Sequence, residues 1–148
     1  MTTKVYLAIV ILLACSPAIA RDTLTTVAMT IYGEAAGESY AGKYAVAEVI
    51  FNRAHGQPAK LKSVCLSRKQ FSCWRNRRFT QQLPDLRKPL DRIAWTDCVA
   101  LAGRLSDGSF RPDTKATHYH RFDISPKWNQ GMTMVASVGQ HEFYATTR

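Results

Sequence analysis

At 148 residues the chain has room for one compact domain and no more. Hydrophobic residues make up 46% and charged residues 21%, with no low-complexity tract, which excludes a disordered or fibrous protein. The 20 Lys and Arg against 11 Asp and Glu leave a net charge of +9, which favours anionic surfaces and polymers without naming one.

The N-terminus has Lys4, the apolar run Val5-Tyr6-Leu7-Ala8-Ile9-Val10-Ile11-Leu12-Leu13-Ala14, then Ser16-Pro17-Ala18-Ile19-Ala20. A positive start, a short apolar core and small residues at a cleavage site are the three parts of a secretory signal. Ala18-Ile19-Ala20 predicts cleavage before Arg21, leaving 21–148 as a single domain. The run is shorter than the roughly 20 residues of a bilayer span, so contact with membrane is expected only through this segment. Leu12-Leu13-Ala14-Cys15 also resembles a lipoprotein cleavage box, imperfectly. Export to the periplasm or the extracellular space is the expectation. In such an oxidising compartment Cys65, Cys73 and Cys98 predict one disulfide and one thiol left over. Cys73–Cys98 is the favoured pair, since both lie beside a tryptophan, Trp74 and Trp95. The absence of any C-x-x-C pair argues against a zinc site.

Thr23 to Tyr32 reads as a short helix, capped by Asp22 or Thr23, with Val27, Ala28 and Ile31 on one face. Gly33 ends or bends it. Ser39 caps a second helix from about Tyr40 to Ala54, whose Ala45, Val46, Val49 and Ile50 form the buried stripe; Gly56 stops it and Pro58 follows. Pro89 and Asp91 open a third, with Ala94, Trp95, Cys98, Val99 and Ala102 inward. After Gly108 the period changes from helical to alternating. Ala116-Thr117-His118-Tyr119-His120 and Thr133-Met134-Val135-Ala136-Ser137-Val138 read as strands, and Phe143-Tyr144 continues the sheet. Helices first and strands last predict an α+β domain, mainly helical in its N-terminal part, with a small C-terminal sheet and a cleft between. The basic residues are scattered apart from Arg75-Asn76-Arg77-Arg78, read as a solvated loop, and no nucleic-acid motif is present, so nucleic acid is not expected as a partner.

Glu34 stands between two apolar helical segments, in Ile31-Tyr32-Gly33-Glu34-Ala35-Ala36-Gly37-Glu38. Such neighbours predict a desolvated carboxyl group able to hold a proton and hand it to a leaving group. Four segments recur around it: Tyr32-Gly33-Glu34-Ala35-Ala36-Gly37-Glu38 running into Ala45-Val46-Ala47-Glu48-Val49-Ile50-Phe51-Asn52-Arg53, then Lys69-Gln70-Phe71-Ser72-Cys73-Trp74, then Ala116-Thr117-His118-Tyr119-His120 with Pro126-Lys127-Trp128, and last Val138-Gly139-Gln140-His141-Glu142-Phe143-Tyr144. In this order and spacing the chain resembles the SleB/CwlJ-type cell wall hydrolases, from about Leu24 to Tyr144. The resemblance implies a lysozyme-like domain acting on the glycan strands of peptidoglycan, with Glu34 as the catalytic acid. Ala36 departs from the arginine or similar residue most such proteins carry there.

Glycosidic cleavage needs an acid for the leaving oxygen and a way to handle an oxocarbenium-like centre. Glu38 reads as structural, paired with Lys43 or capping a helix, which leaves one carboxylate and favours a lytic transglycosylase scheme forming 1,6-anhydro ends. Gln70 and Phe71 are candidates to line the cleft, although Phe71 reads rather as core. Tyr119 and Trp128 are candidates to stack on sugar rings, and His118 to bind substrate beside them. His118 and His120 share a strand face, read as hydrogen-bonded histidines before a metal pair; no metal or other cofactor is expected. Asn52 reads as a hydrogen bonder that terminates its helix. A monomer is expected. Two rival readings stay open: a zinc-dependent amidase using His118, His120 or His141 with Glu34, and a secreted wall-binding module without catalysis. A role in phage-driven host lysis fits as well as one in bacterial wall remodelling.

Overall fold

The computed structural model describes residues 17–75 and 84–147. The apolar run of 5–14, Cys15 and most of the basic cluster at 75–78 lie outside the described residues.

Helix α1 (Pro17–Ala35) buries Val27, Ala28 and Ile31 completely, as the stripe predicts. It differs from expectation at both ends, starting at Pro17 so that Asp22 and Thr23 lie inside it rather than at its cap, and continuing through Gly33 and Glu34 to Ala35. Glycine inside a helix costs about 1 kcal/mol relative to alanine. Burial of Ile31 and Ala35 on either side offsets that cost, and the Ala36 amide still bonds the Tyr32 carbonyl at 2.9 Å. Glu34 therefore projects from the last helical turn rather than from a loop.

Helix α2 (Tyr40–Arg53) starts where Ser39 predicts, its hydroxyl accepting from the Gly42 amide. It runs through the centre of the core, with Ala45, Val46, Ala47, Val49 and Ile50 buried. At about 1.5–3 kcal/mol for each large aliphatic side chain, this stripe is a principal source of stability. Two charged residues are buried with it, Lys43 and Glu48. Lys43 Nζ donates to the Glu38 carbonyl at 2.7 Å and pairs with Asp97 at 3.4 Å. The Glu38 carboxylate goes elsewhere, 3.5 Å from His141 Nδ1. Asn52 stands one residue before the end of the helix, and its side-chain amide donates outward to the carbonyls of Thr114 and Ala116 at 3.0 and 2.8 Å.

A short helix α3 (Leu61–Leu66) and a 3-10 turn (Ser72–Arg75), neither expected from the sequence, lead to helix α4 (Pro89–Ser106). Pro89 stands in its first turn, where a missing N–H costs nothing, and Asp91 favours the positive helix end. Its inward face is Ala94, Cys98, Leu101, Ala102 and Leu105, packed on α1 and α2. No helix among the described residues is long and apolar enough to cross a membrane.

Strands β1 (His118–Arg121), β2 (Met132–Val138) and β3 (His141–Thr146) form an antiparallel sheet in the order β1-β3-β2, so β1 is an open edge. Cross-strand neighbours share a face, which puts Tyr119 with Phe143 and Arg121 with His141 on one side, His118 with Tyr144 and His120 with Glu142 on the other. Gly139, at φ +56°, makes the tight turn between β2 and β3. The architecture is the expected α+β one, with the helices on one side of a cleft and β1 on the other.

The expected Cys73–Cys98 disulfide is not formed; Cys65, Cys73 and Cys98 are buried free thiols. Desolvation pushes the Cys65 thiol up to about 11 and the Cys98 thiol up to about 12. It raises Cys73 too, and the nearby Glu34 charge adds to the rise. These cysteines pack as small apolar side chains, which is how buried, unactivated thiols behave.

Candidate active site

Glu34 sits in a cleft of about 690 Å³ between the helical part and the edge strand. Its carboxylate is held from two directions. From the Ser72–Arg75 turn, the Cys73 amide donates to Oε1 at 2.7 Å and the Ser72 hydroxyl at 3.1 Å. From β1, the Tyr119 hydroxyl donates to Oε2 at 2.7 Å. The apolar neighbours that the local sequence promises, Ile31 and Ala35, face the core; the acid itself meets hydrogen-bond donors. The Ser72 hydroxyl also lies 3.4 Å from Oε2, so three donors reach both oxygens and fix the orientation of the group.

Each donor has a structural root. Trp74 Nε1 donates at 3.0 Å to the hydroxyl of buried Thr30, which itself bonds the Thr26 carbonyl, so the Ser72–Arg75 turn is pinned to the helix carrying Glu34. The Tyr119 ring stacks on Phe143 at 5.5 Å and meets His141 edge-on at 5.5 Å. Burial first, then the adjacent Glu34 charge, raises the Tyr119 phenol well above its ordinary value, so it stays neutral and donating.

The residues expected from sequence divide. Glu34, Gln70, His118, Tyr119 and Trp128 all line this cleft. Phe71 does not; it is 2% exposed and belongs to the core, with the Arg53 guanidinium 5.0 Å above its ring. Gln70 is exposed, as a substrate contact needs. Trp128 is 42% exposed and forms an aromatic platform with His118, His120 and Tyr144, its ring 5.3 Å from His118 and 5.5 Å from His120. Tyr119 serves as a holder of Glu34 rather than as an open stacking surface. His118 is lowered from its ordinary value by burial and by the Arg53 charge, which favours a neutral imidazole.

Three imidazoles do not converge on one point. His120 spends Nδ1 on the Arg121 carbonyl at 2.7 Å and faces Asn129 with Nε2 at 3.2 Å. The pleat puts His141 on the opposite sheet face from His118 and His120. Among the described residues no cluster of three or more His, Cys, Asp or Glu has the geometry to hold a metal ion. The residues present do not fit a three-ligand zinc centre.

Sequence reasoning missed several members. Ser72 and the Cys73 amide lie directly beyond Gln70 and Phe71 in the same motif. Arg53, Lys69, Arg75 and Arg121 line the cleft and make it basic. Their scatter along the chain hid that convergence. Glu34 is the carboxylate among the lining residues; Glu38 stands behind the wall, its carboxylate against Gly139 and His141.

The cleft thus holds one carboxyl group, fixed by three donors, beside a basic lining and an exposed aromatic platform. The family model described as Cell Wall Hydrolase matches residues 37–144, and the chain belongs to that family. The match begins just after Glu34. Among solved structures, the catalytic domain of the germination-specific lytic transglycosylase SleB from Bacillus anthracis is similar at 23% identity and a TM-score of 0.61, covering 84% of this chain and 95% of that one. The catalytic domain of the Bacillus cereus SleB protein is similar at 23% identity and a TM-score of 0.60, covering 84% and 91%. At this identity the two share the fold. No curated protein matches the chain.

Proposed function

We propose that the protein is an exported enzyme that cuts peptidoglycan glycan strands between N-acetylmuramic acid and N-acetylglucosamine as a lytic transglycosylase. The observation that carries the reading is the three-donor clamp on Glu34 at the floor of the cleft. Glu34 gives its proton to the glycosidic oxygen as the C1–O bond breaks, and the leaving sugar departs with a free hydroxyl. The resulting carboxylate then takes the proton of the muramic C6 hydroxyl as that oxygen closes on C1. Glu34 regains its proton, a 1,6-anhydro ring forms, and no water is consumed. One acid therefore serves both halves, and a nucleophile already joined to the reacting centre gains the entropy advantage of an intramolecular step. In this reading the Trp128 platform and the Gln70 amide hold sugar rings and acetamido groups, while the basic lining suits the free carboxylates of the stem peptides. The family name and the fold of the SleB catalytic domains support the substrate class.

Digestion of purified peptidoglycan tests the reading. Anhydro-muropeptides are expected as the main new ends, and Glu34→Gln is expected to lose about 10²- to 10⁴-fold in rate with wall binding intact. Reducing muramic ends would make the enzyme a hydrolase with the same acid. Freed stem peptides would move the cut to the amide bond. A Glu34→Gln protein as active as the parent would remove the acid itself.

A further inference from the structure

The donors that hold Glu34 arrive on two separate stretches of chain. One stretch carries Ser72 and Cys73, the other Tyr119. A single side chain is bonded to the root of both. Arg53, the last residue of α2, donates through Nε to the Thr117 carbonyl at 2.6 Å, two residues before Tyr119. Through Nη1 it reaches the Gln70 carbonyl at 3.4 Å, two residues before Ser72. Its guanidinium carbon lies 5.0 Å from the centre of the Phe71 ring, a third contact on the same fork.

Arg53 is the end of a longer polar seam on α2. Buried Glu48 accepts from the amides of Asp113 and Thr114, and Asn52 donates to the carbonyls of Thr114 and Ala116. Glu48 and Asn52 tie α2 to one wall of the cleft alone. Arg53 alone in this seam bonds both walls. A guanidinium presents its donors in a rigid planar fork, whereas an ammonium is a compact point charge on a flexible stem.

We infer that Arg53 is a positioning residue: its guanidinium sets the spacing between the two segments, so that all three donors meet the Glu34 carboxylate together. The kinetic consequence rests on the peptidoglycan-cleaving reading; the geometric consequence does not. Misplacing a catalytic group by about 1 Å costs on the order of 10²-fold, so Arg53→Ala is expected to lower kcat by about that factor, well beyond any rise in the apparent KM for purified wall that loss of one cleft-lining charge brings. Arg53→Lys keeps the charge but not the fork, and is expected to stay well below the parent in kcat. Added guanidinium ion is expected to restore part of the loss in Arg53→Ala.

Amide hydrogen exchange supplies a readout that needs no substrate. Both 70–75 and 117–121 are expected to exchange faster in either variant, with α4 unchanged. Parental kcat in folded Arg53→Ala, parental exchange in Arg53→Lys, or loosening of one segment only would each overturn the inference. If Arg53→Ala does not fold, Arg53→Lys decides by the same two measurements. If the unaltered protein does not cut wall, the proposed function falls and the exchange result still decides the role of Arg53.

Discussion

Tyr119→Phe is the sharpest probe of the clamp, because it deletes one oxygen and leaves the ring. The hydroxyl donates to Glu34 Oε2 at 2.7 Å, while Oε1 keeps the Cys73 amide and its closer contact with the Ser72 hydroxyl. Once Glu34 has given up its proton it is a carboxylate, and a hydrogen bond to such a charged group is worth about 1.5–3 kcal/mol. If that energy holds the carboxyl on the reaction path, about 1.4 kcal/mol per decade converts it to a fall in kcat of about 10- to 150-fold. Stability should move far less, since the ring still stacks on Phe143 at 5.5 Å and still meets His141. The measurement is initial rate of turbidity loss on purified wall against substrate concentration, beside thermal unfolding of the same preparation. Parental kcat in a well-folded Tyr119→Phe protein would refute the claim that this hydroxyl orients the acid. A large drop in melting temperature with unchanged turnover would assign Tyr119 to the core instead.

Gly139→Ala would build a Cβ 1.8 Å from Glu38 Oε2 at a position with φ +56°, so it is expected to dislodge Glu38 from His141 and destabilise by about 1–3 kcal/mol in thermal or denaturant unfolding. Glu38→Gln is expected to lower stability more than turnover; a selective loss of turnover in a well-folded variant would bring a second carboxylate into the chemistry. Glu48→Ala removes the buried acceptor of the Asp113 and Thr114 amides and is expected to cost about 1–3 kcal/mol, read from the midpoint of urea unfolding. Cys65, Cys73 and Cys98 are expected to react with an alkylating reagent only after unfolding, since all three are buried with thiols raised by desolvation; native-state labelling would contradict this.

Local pattern carried what local physics controls. The stripes Val27, Ala28, Ile31 and Ala45, Val46, Val49, Ile50 are spaced by the helical period, and each is buried on the face that period predicts. Ser39 is a good N-cap wherever it stands, and it caps α2. Glu34 stood out through the order and spacing of the four segments that include it, since its apolar flanks alone fit an ordinary helix-end glutamate and in the fold face the core. Long-range contacts were out of reach. Ser72 and Tyr119 come to Glu34 across 38 and 85 residues, and no periodicity encodes that meeting. Phe71 was named with the cleft motif although an aromatic there reads rather as core, and the core is where it lies. The cysteines misled because compartment, not geometry, was the argument for a bond. One readable signal went unused: Glu48 sits inside the apolar run Ala45-Val46-Ala47-Glu48-Val49-Ile50, and a carboxylate so placed must be answered by donors from elsewhere in the fold.

The shortest contact from the Ser72–Arg75 turn to Glu34 comes from the peptide N–H of residue 73, at 2.7 Å. No side chain encodes that donor, so nineteen of the twenty amino acids supply it unchanged. A saturation library at this position would register tolerance or intolerance according to volume alone, and the site would look like ordinary packing. Proline is the exception, lacking the N–H. A position that accepts alanine and serine but loses turnover with proline while remaining folded would mark a main-chain group at work in the cleft, and the same comparison would expose such groups wherever conservation of residue type is silent.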